Sequence, residues 1–320
     1  MSMFSLAVAA VAATIFTISG ASAQTTLRVG HFPNITHVQG LVAHHLSRTG
    51  KGWFEQRLPG VKIEWFVYNA GPSAMEAIFA RSVDLTYVGP SPAINAYAKA
   101  EGRDVRIVAG AANGGSALVV QPELQVKVAA DLKGRKIATP QLGNTQDVSA
   151  RAWLAAGGVR VTLTGGEAQL IPTANPDQLQ LFRTKQLDAV WTVEPWVSRL
   201  EAETGGKVAV EEPQAVTTVL VASERTLTEQ RAIVAAFVAA HRELTEWIKA
   251  NPAEAQAMAQ KELAEEVRGA VSDDLIARAW KRITLVDRVD AGALNTFVDN
   301  ARKAGFMRTA PDLSRLIETP

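Results

Sequence analysis

One pattern constrains this chain more than any other. Strand-like and helix-like stretches alternate along it, and the alternation runs through twice. Residues 27–30 read as a strand, after which Val38, Leu41, Val42 and Leu46 fall at helical spacing. Residues 61–68 read as a strand in which Ile63, Trp65 and Val67 alternate with Lys62, Glu64 and Phe66. Helices follow at 73–81 and 91–100, with strands at 84–88 and 105–109. Such βαβ alternation builds a mainly parallel sheet flanked by helices, so the class is α/β. The pattern then restarts. Residues 72–84 lie on 176–188 without a gap, each with Pro before a helix, a basic residue near its end and an apolar-Asp pair at the next strand. This lays Tyr87 on Trp191. Residues 27–37 lie on 137–147, which lays Asn34 on Asn144. Two similar lobes are expected.

Beyond residues 219–221 the pattern turns helical. Ile233, Phe237, Leu244, Trp247 and Ile248 mark one long amphipathic helix closed by Pro252, and two more helices are expected at 272–283 and 290–303. With no strands left to cover in sequence, these helices are predicted to pack on the first lobe. The expected division is 24–112 plus 218–320 for lobe 1 and 113–217 for lobe 2, with the chain crossing near 110–116 and 213–219.

Residues 1–23 read as a secretory signal. An apolar run over 6–18 is followed by Ala21-Ser22-Ala23, an A-x-A cleavage pattern that would leave Gln24 as the new N-terminus. The short segment before Leu6 lacks the usual Lys or Arg. With no cysteine, the chain has no disulfide framework, thiolate metal site or lipid-anchored N-terminus. Lys plus Arg number 33 against 32 Asp plus Glu, without a basic block, so the cationic footprint of a nucleic-acid binder is missing.

Ligands of open parallel sheets bind at the carboxyl ends of the strands. The turns there are rich in Gly, Pro, Asn, Ser and Thr, and most lead straight into a helix: 32–37, 69–73, 89–92, 110–116, 141–146 and 192–196. Helix N-termini offer unpaired N–H groups and a partial positive charge, which suits an anion held without metal or arginine. The candidate ligand-binding residues are Asn34, His37, Ser73, Gly89, Ser91, Asn113, Asn144, Thr145, Gln146, Trp191, Glu194 and Trp196. Asn34, Ser73, Ser91, Asn144 and Thr145 are the expected donors, with Trp191 and Trp196 walling an organic tail. Asn144 is expected to matter more than Asn175. Ser73, Ser91 and Asn144 also suit plain helix caps. Of the five histidines, His31 and His37 flank the first loop, while His44 and His45 are expected at the surface. No His-Glu pair sits at metal-ligand spacing, and neither metal, cofactor nor catalytic residue is expected.

Residues 28–37, 69–73, 83–92, 131–138, 142–146 and 190–196 together resemble the nitrate/sulfonate/taurine family of periplasmic binding proteins, above all its aliphatic-sulfonate members. The resemblance covers almost the whole chain after residue 23. It implies a two-lobed periplasmic-binding-protein fold of type II with two crossover strands, hinge closure on a small anion, and an ABC permease and ATPase as partners. A monomer free in the periplasm is the expected form. Glu194 complicates the ligand: facing the cleft, it would oppose a plain sulfonate and welcome the ammonium of taurine. Family members that bind a thiamine-precursor pyrimidine also carry an acid-Pro-aromatic turn at this point, so a nitrogen heterocycle is the alternative. A pyrimidine synthase of the same fold uses a cysteine-rich iron motif, which this chain lacks. A receptor reporting to a membrane sensor is not distinguished from an importer component by sequence.

Overall fold

The computed structural model describes residues 24–163 and 165–320, so the segment read as a signal lies outside the described residues. Among the described residues, eleven strands form two sheets. The first sheet holds β1 (Thr25–His31), β2 (Val61–Val67), β3 (Leu85–Val88), β4 (Val105–Gly114), β10 (Val216–Ser223) and β11 (Ile283–Leu285). The second holds β5 (Ser116–Val120), β6 (Lys136–Thr139), β7 (Gln169–Pro172), β8 (Ala189–Val193) and β9 (Lys207–Glu211). The first sheet runs β2-β1-β3-β10-β4-β11 and the second β7-β6-β8-β5-β9. Both follow one plan. Three parallel strands are joined by an antiparallel strand arriving from the other sheet, β10 in one case and β5 in the other.

The internal repeat is physical. Asp84 and Asp188 precede β3 and β8, and each accepts a backbone N–H from the neighbouring strand, Arg28 N at 3.0 Å and Lys136 N at 2.8 Å. Arg81 and Lys185, three residues earlier, both turn through the left-handed region, at φ 59° and 58°. The same bonds correct the other overlay. Val29 pairs with Leu85 and Ile137 with Ala189, so Val29, not Leu27, corresponds to Ile137. The loop after β1 is two residues shorter in register than sequence alone suggests.

Helices α1 (Val38–Arg48), α2 (Trp53–Arg57), α3 (Gly71–Phe79) and α4 (Pro90–Lys99) cover the first sheet. Helices α5 (Thr145–Ala156), α6 (Asn175–Arg183) and α7 (Trp196–Thr204) cover the second. The tail supplies α8 (Glu224–Glu229), α9 (Arg231–Ala250), α10 (Pro252–Glu266), α11 (Asp273–Trp280) and α12 (Ala291–Lys303). Helix α9 buries Val234, Phe237, Leu244 and Ile248, and Phe237 stacks on Phe54 at 3.9 Å. Two expectations for the tail fail. It still holds one strand, β11, which extends the first sheet beside β4. The last helices are also not confined to the first lobe: α12 packs on α5 as well as α4, and α11 on α7.

The chain passes between sheets at Gly114-Gly115, where φ is +76° and +72°, and again over residues 212–215. A Cβ on Gly114 would sit 2.5 Å from the Arg282 carbonyl oxygen, so this turn requires glycine for both conformation and space. Among the described residues no helix is long and apolar enough to cross a membrane.

His241 is fully buried in α9. Its Nε2–H donates to Gly110 O at 2.8 Å, leaving Nδ1 to accept from the Tyr87 hydroxyl at 3.0 Å. Burial lowers its pKa from 6.5 to about 4. The neutral ring is therefore what the fold stabilises: that stability is whole above the unfolded pKa of 6.5, declines as pH falls, and is gone below about 4. Roughly 3 kcal/mol is at stake. Urea melts across this range should show a shallower pH dependence for His241→Gln than for the wild type. Identical profiles would remove His241 from the account.

Candidate ligand-binding cleft

A small cavity of ≈ 20 Å³ lies between the lobes at the carboxyl ends of their strands. Its first wall carries Asn34, Thr36 and His37 from the loop after β1, Asn69 and Gly71 from the loop into α3, and Gly89 before α4. Its second wall carries Asn144, Thr145 and Gln146 at the start of α5, Asn175 at the start of α6, and Val193 at the end of β8. Among the described residues, no Lys, Arg, Asp or Glu lines it.

The local sequence explains the donors. Asn144 caps α5: its Oδ1 accepts Asp147 N at 2.9 Å and its main-chain carbonyl accepts Val148 N. The N–H groups of Thr145 and Gln146 have no acceptor within the helix. The side-chain amides are oriented by the protein. Asn34 Oδ1 accepts from Trp196 Nε1 at 3.0 Å and Asn175 Nδ2 at 3.5 Å. Asn175 Oδ1 accepts from Thr192 Oγ1 at 3.1 Å, and Gln146 Oε1 from Asn144 Nδ2 at 3.1 Å. In these four amides the oxygen is engaged, whereas in the fifth on the wall, Asn69, it is Nδ2 that is bonded, so N–H groups predominate in what the wall offers a ligand. Thr145 Oγ1 and His37 Nδ1 are buried without a partner. His37 stacks on Phe32 at 4.3 Å, and its pKa is lowered well below 6.5 by burial and by nearby His31, so the ring is neutral.

The lobes are closed on each other. Ile35 N donates to Glu194 O at 2.9 Å, Gln141 Nε2 to Ser73 Oγ at 3.0 Å, and Asn69 Nδ2 to Pro140 O at 3.4 Å. Gly89 faces Thr145 so closely that a Cβ would lie 2.2 Å from Thr145 Oγ1.

Asn34, His37, Gly89, Asn144, Thr145 and Gln146 are thus brought together on the cavity. The other six candidates are not on its wall. Ser73 is spent on Gln141, as a strut between lobes. Ser91 is buried in α4 with an unpartnered Oγ; Pro90 and Pro92 on either side have no N–H, and it is Pro92 that meets the cavity. Asn113 lies within β4, opposite Val216 and Thr284. Trp191 sits two residues short of the end of β8, in the second lobe's core with Leu118, Ile137 and Leu154, its Nε1 3.3 Å from Ser116 Oγ. Trp196 is a buried strut to Asn34, with Arg199 over its ring.

Glu194 turns away from the cleft. Its carboxylate accepts from Ser198 N at 3.1 Å, Ser198 Oγ at 2.9 Å and Arg282 Nη1 at 3.0 Å. Burial raises its pKa, and the Ser198 and Arg282 donors pull it back. Burial opposes the Arg282 cation too, but Glu201 and Glu194 more than offset this and raise its pKa. Asn175, Val193 and Thr217 line the cavity yet escaped selection from sequence. The repeat held the signal for Asn175: it precedes Pro176 as Gly71 precedes Pro72, so both open a helix at the cleft. Asn144→Ala and Asn175→Ala should therefore each weaken ligand binding by about 1.5–3 kcal/mol. Calorimetric titration checks this; a loss at Asn144 alone would mean that Asn175 does not meet the ligand.

Comparison with known proteins agrees with this geometry. The profile of the NMT1-like family matches residues 20–263. The chain belongs to the NMT1-like family. A putative aliphatic sulfonates-binding protein of Escherichia coli K12 is 30% identical over 144 residues, 44% of this chain and 42% of that relative. The chain spans less than half the length of the curated relatives it matches. Among solved structures, the alkanesulfonate-binding protein SsuA of Xanthomonas axonopodis pv. citri, bound to MOPS, superposes with a TM-score of 0.71 at 20% identity, over 92% of this chain and 96% of that one. The periplasmic nitrate-binding protein NrtA of Synechocystis PCC 6803 gives 0.70 at 14% identity, over 91% and 84%. These likenesses identify the fold of this NMT1-like chain as that of periplasmic binding proteins.

Proposed function

We propose that this NMT1-like protein is the solute-binding component of an ABC importer, and that its lobes close on a small organic sulfonate or related monoanion. The observation that carries this is the cavity wall. It bears no formal charge, and four of its five side-chain amides have their oxygens engaged by protein, so donors predominate. A sulfonate presents three acceptor oxygens, one negative charge and no proton, which is what such a wall satisfies. Converging helix starts at α3, α5 and α6 add partial positive charge.

Pro92 also borders a second, largely apolar cavity with Met75, Phe79, Leu142 and Phe306 on its walls, alongside Glu76 and Lys99. Since Glu194 is paired with Arg282, it neither opposes a plain sulfonate nor recruits the amine of taurine. Since Trp191 and Trp196 are off the wall, a pyrimidine loses the stacking partners and the acid that favoured it. The protein itself is a receptor rather than an enzyme, secreted to the periplasm after cleavage behind Ala23, and it hands its ligand to a permease and ATPase.

The test is a calorimetric panel of ethanesulfonate, taurine, nitrate and a thiamine-precursor pyrimidine on the secreted protein. Ethanesulfonate is expected to bind, and Glu194→Gln is expected to leave that affinity unchanged. Binding of the pyrimidine alone would overturn the sulfonate assignment.

A further inference from the structure

Four side chains behind the cleft loop converge in a way that their protons do not explain. His31 ends β1, His44 lies on α1, and Glu262 and Glu266 stand one turn apart on α10. His31 Nε2 is 3.0 Å from both His44 Nδ1 and Glu266 Oε1, and His44 Nδ1 is 3.2 Å from Glu266 Oε1. Glu262 Oε1 lies 2.9 Å from His44 Nδ1. His31 is fully buried, and the Glu262 and Glu266 side chains are 0% and 2% exposed. The second oxygen of each carboxylate has no hydrogen-bond partner.

With both carboxylates ionised, no placement of ring protons satisfies the triangle. If both ring nitrogens carry hydrogen, two donors face each other at 3.0 Å. If His31 Nε2 is bare, its lone pair meets Glu266 Oε1; if His44 Nδ1 is bare, its lone pair meets both carboxylates. A cation shared by His31, His44 and Glu266 resolves that triangle. Tetrahedral ligands about 2.0–2.1 Å from a zinc-class ion lie about 3.3 Å from one another, close to the 3.0–3.2 Å among His31 Nε2, His44 Nδ1 and Glu266 Oε1. His31 Nδ1 is 3.4 Å from Phe32 O, the kind of outer partner that leaves Nε2 free as a metal ligand.

We propose that His31, His44 and Glu266 bind one divalent transition-metal ion of the zinc class, separate from the ligand cleft, with Glu262 as a neighbouring negative charge. Two carboxylates balance the ion's charge, and Arg48, which contacts Glu262 Oε1 at 2.7 Å, keeps its own charge half-exposed to solvent. Trp65 screens the site, stacked on His44 at 5.4 Å and edge-on to His31 at 5.5 Å. The ion would tie the start of the loop bearing Asn34 and His37 to α10.

The experiment is titration of untagged, chelator-stripped full-length protein with zinc chloride, followed by calorimetry, with magnesium chloride in parallel. One zinc ion per chain is expected and no magnesium uptake, as nitrogen donors favour the transition metal. His44→Asn and Glu266→Gln should each weaken zinc at least about 100-fold while circular dichroism shows a folded chain. Absence of zinc uptake by the wild type, or equal uptake by both folded variants, would overturn the proposal. If a variant does not fold, zinc protection of wild-type His31 and His44 from histidine-directed modification decides: equal labelling with and without zinc would contradict the site.

Discussion

Gly89→Val is expected to weaken ligand binding at least about 100-fold while shifting the melting temperature by less than about 4 °C. Gly89 has φ −69° and ψ 152°, a conformation open to any residue, so the substitution carries no backbone strain. What it meets is the opposite lobe. A Cβ alone would lie 2.2 Å from Thr145 Oγ1, and the second carbon branch removes the remaining room. Each lobe keeps its own core, since Gly89 lies at the cleft and not among the packed side chains of either sheet. The folded protein should therefore persist with its closed state disfavoured, and binding depends on that state. Titration and thermal melts of one preparation measure both quantities. Wild-type affinity would show that the lobes need not come this close.

Arg282→Met should cost about 3–5 kcal/mol of stability. Arg282 precedes β11 in the first sheet, and its guanidinium reaches Glu194 at 3.0 Å, Glu201 at 2.8 Å and Glu211 at 3.0 Å in the second lobe. Glu201 and Glu211 are partly solvated, whereas Glu194 is fully buried. Removing the cation leaves the Glu194 carboxylate with Ser198 alone and raises its pKa further, above that of the unfolded chain. A raised carboxyl pKa makes the loss largest at high pH and smaller as pH falls and the orphaned group takes a proton. Urea melts at several pH values check both features, and adding Glu194→Gln to the variant should recover part of the loss. A pH-independent loss would place the cost in packing instead.

The sequence carried more of the fold than of the site, for reasons that particular residues make plain. The βα alternation and the Pro-to-Asp repeat are local signals, and Asp84 with Asp188 and Arg81 with Lys185 show them acting alike in both lobes. Loop chemistry located Asn34, Asn144, Thr145 and Gln146 because donors at helix starts are also local. Pairings across long stretches of chain left no such trace. Glu194 reads as facing the cleft until Arg282, 88 residues on, is seen beside it. His44 reads as a surface residue until Glu262 and Glu266 arrive from α10. Trp191 was misplaced by two residues of depth along β8, which separates a cleft wall from a core. The last helices were assigned to one lobe by elimination, and α12 instead packs against both α4 and α5.

Capture by closure is the central claim, and small-angle scattering tests it most directly. The secreted protein, measured with and without saturating ethanesulfonate, should show a smaller radius of gyration when bound, as two lobes joined at Gly114-Gly115 and at residues 212–215 rotate together. An unchanged radius at calorimetrically verified saturation would contradict it.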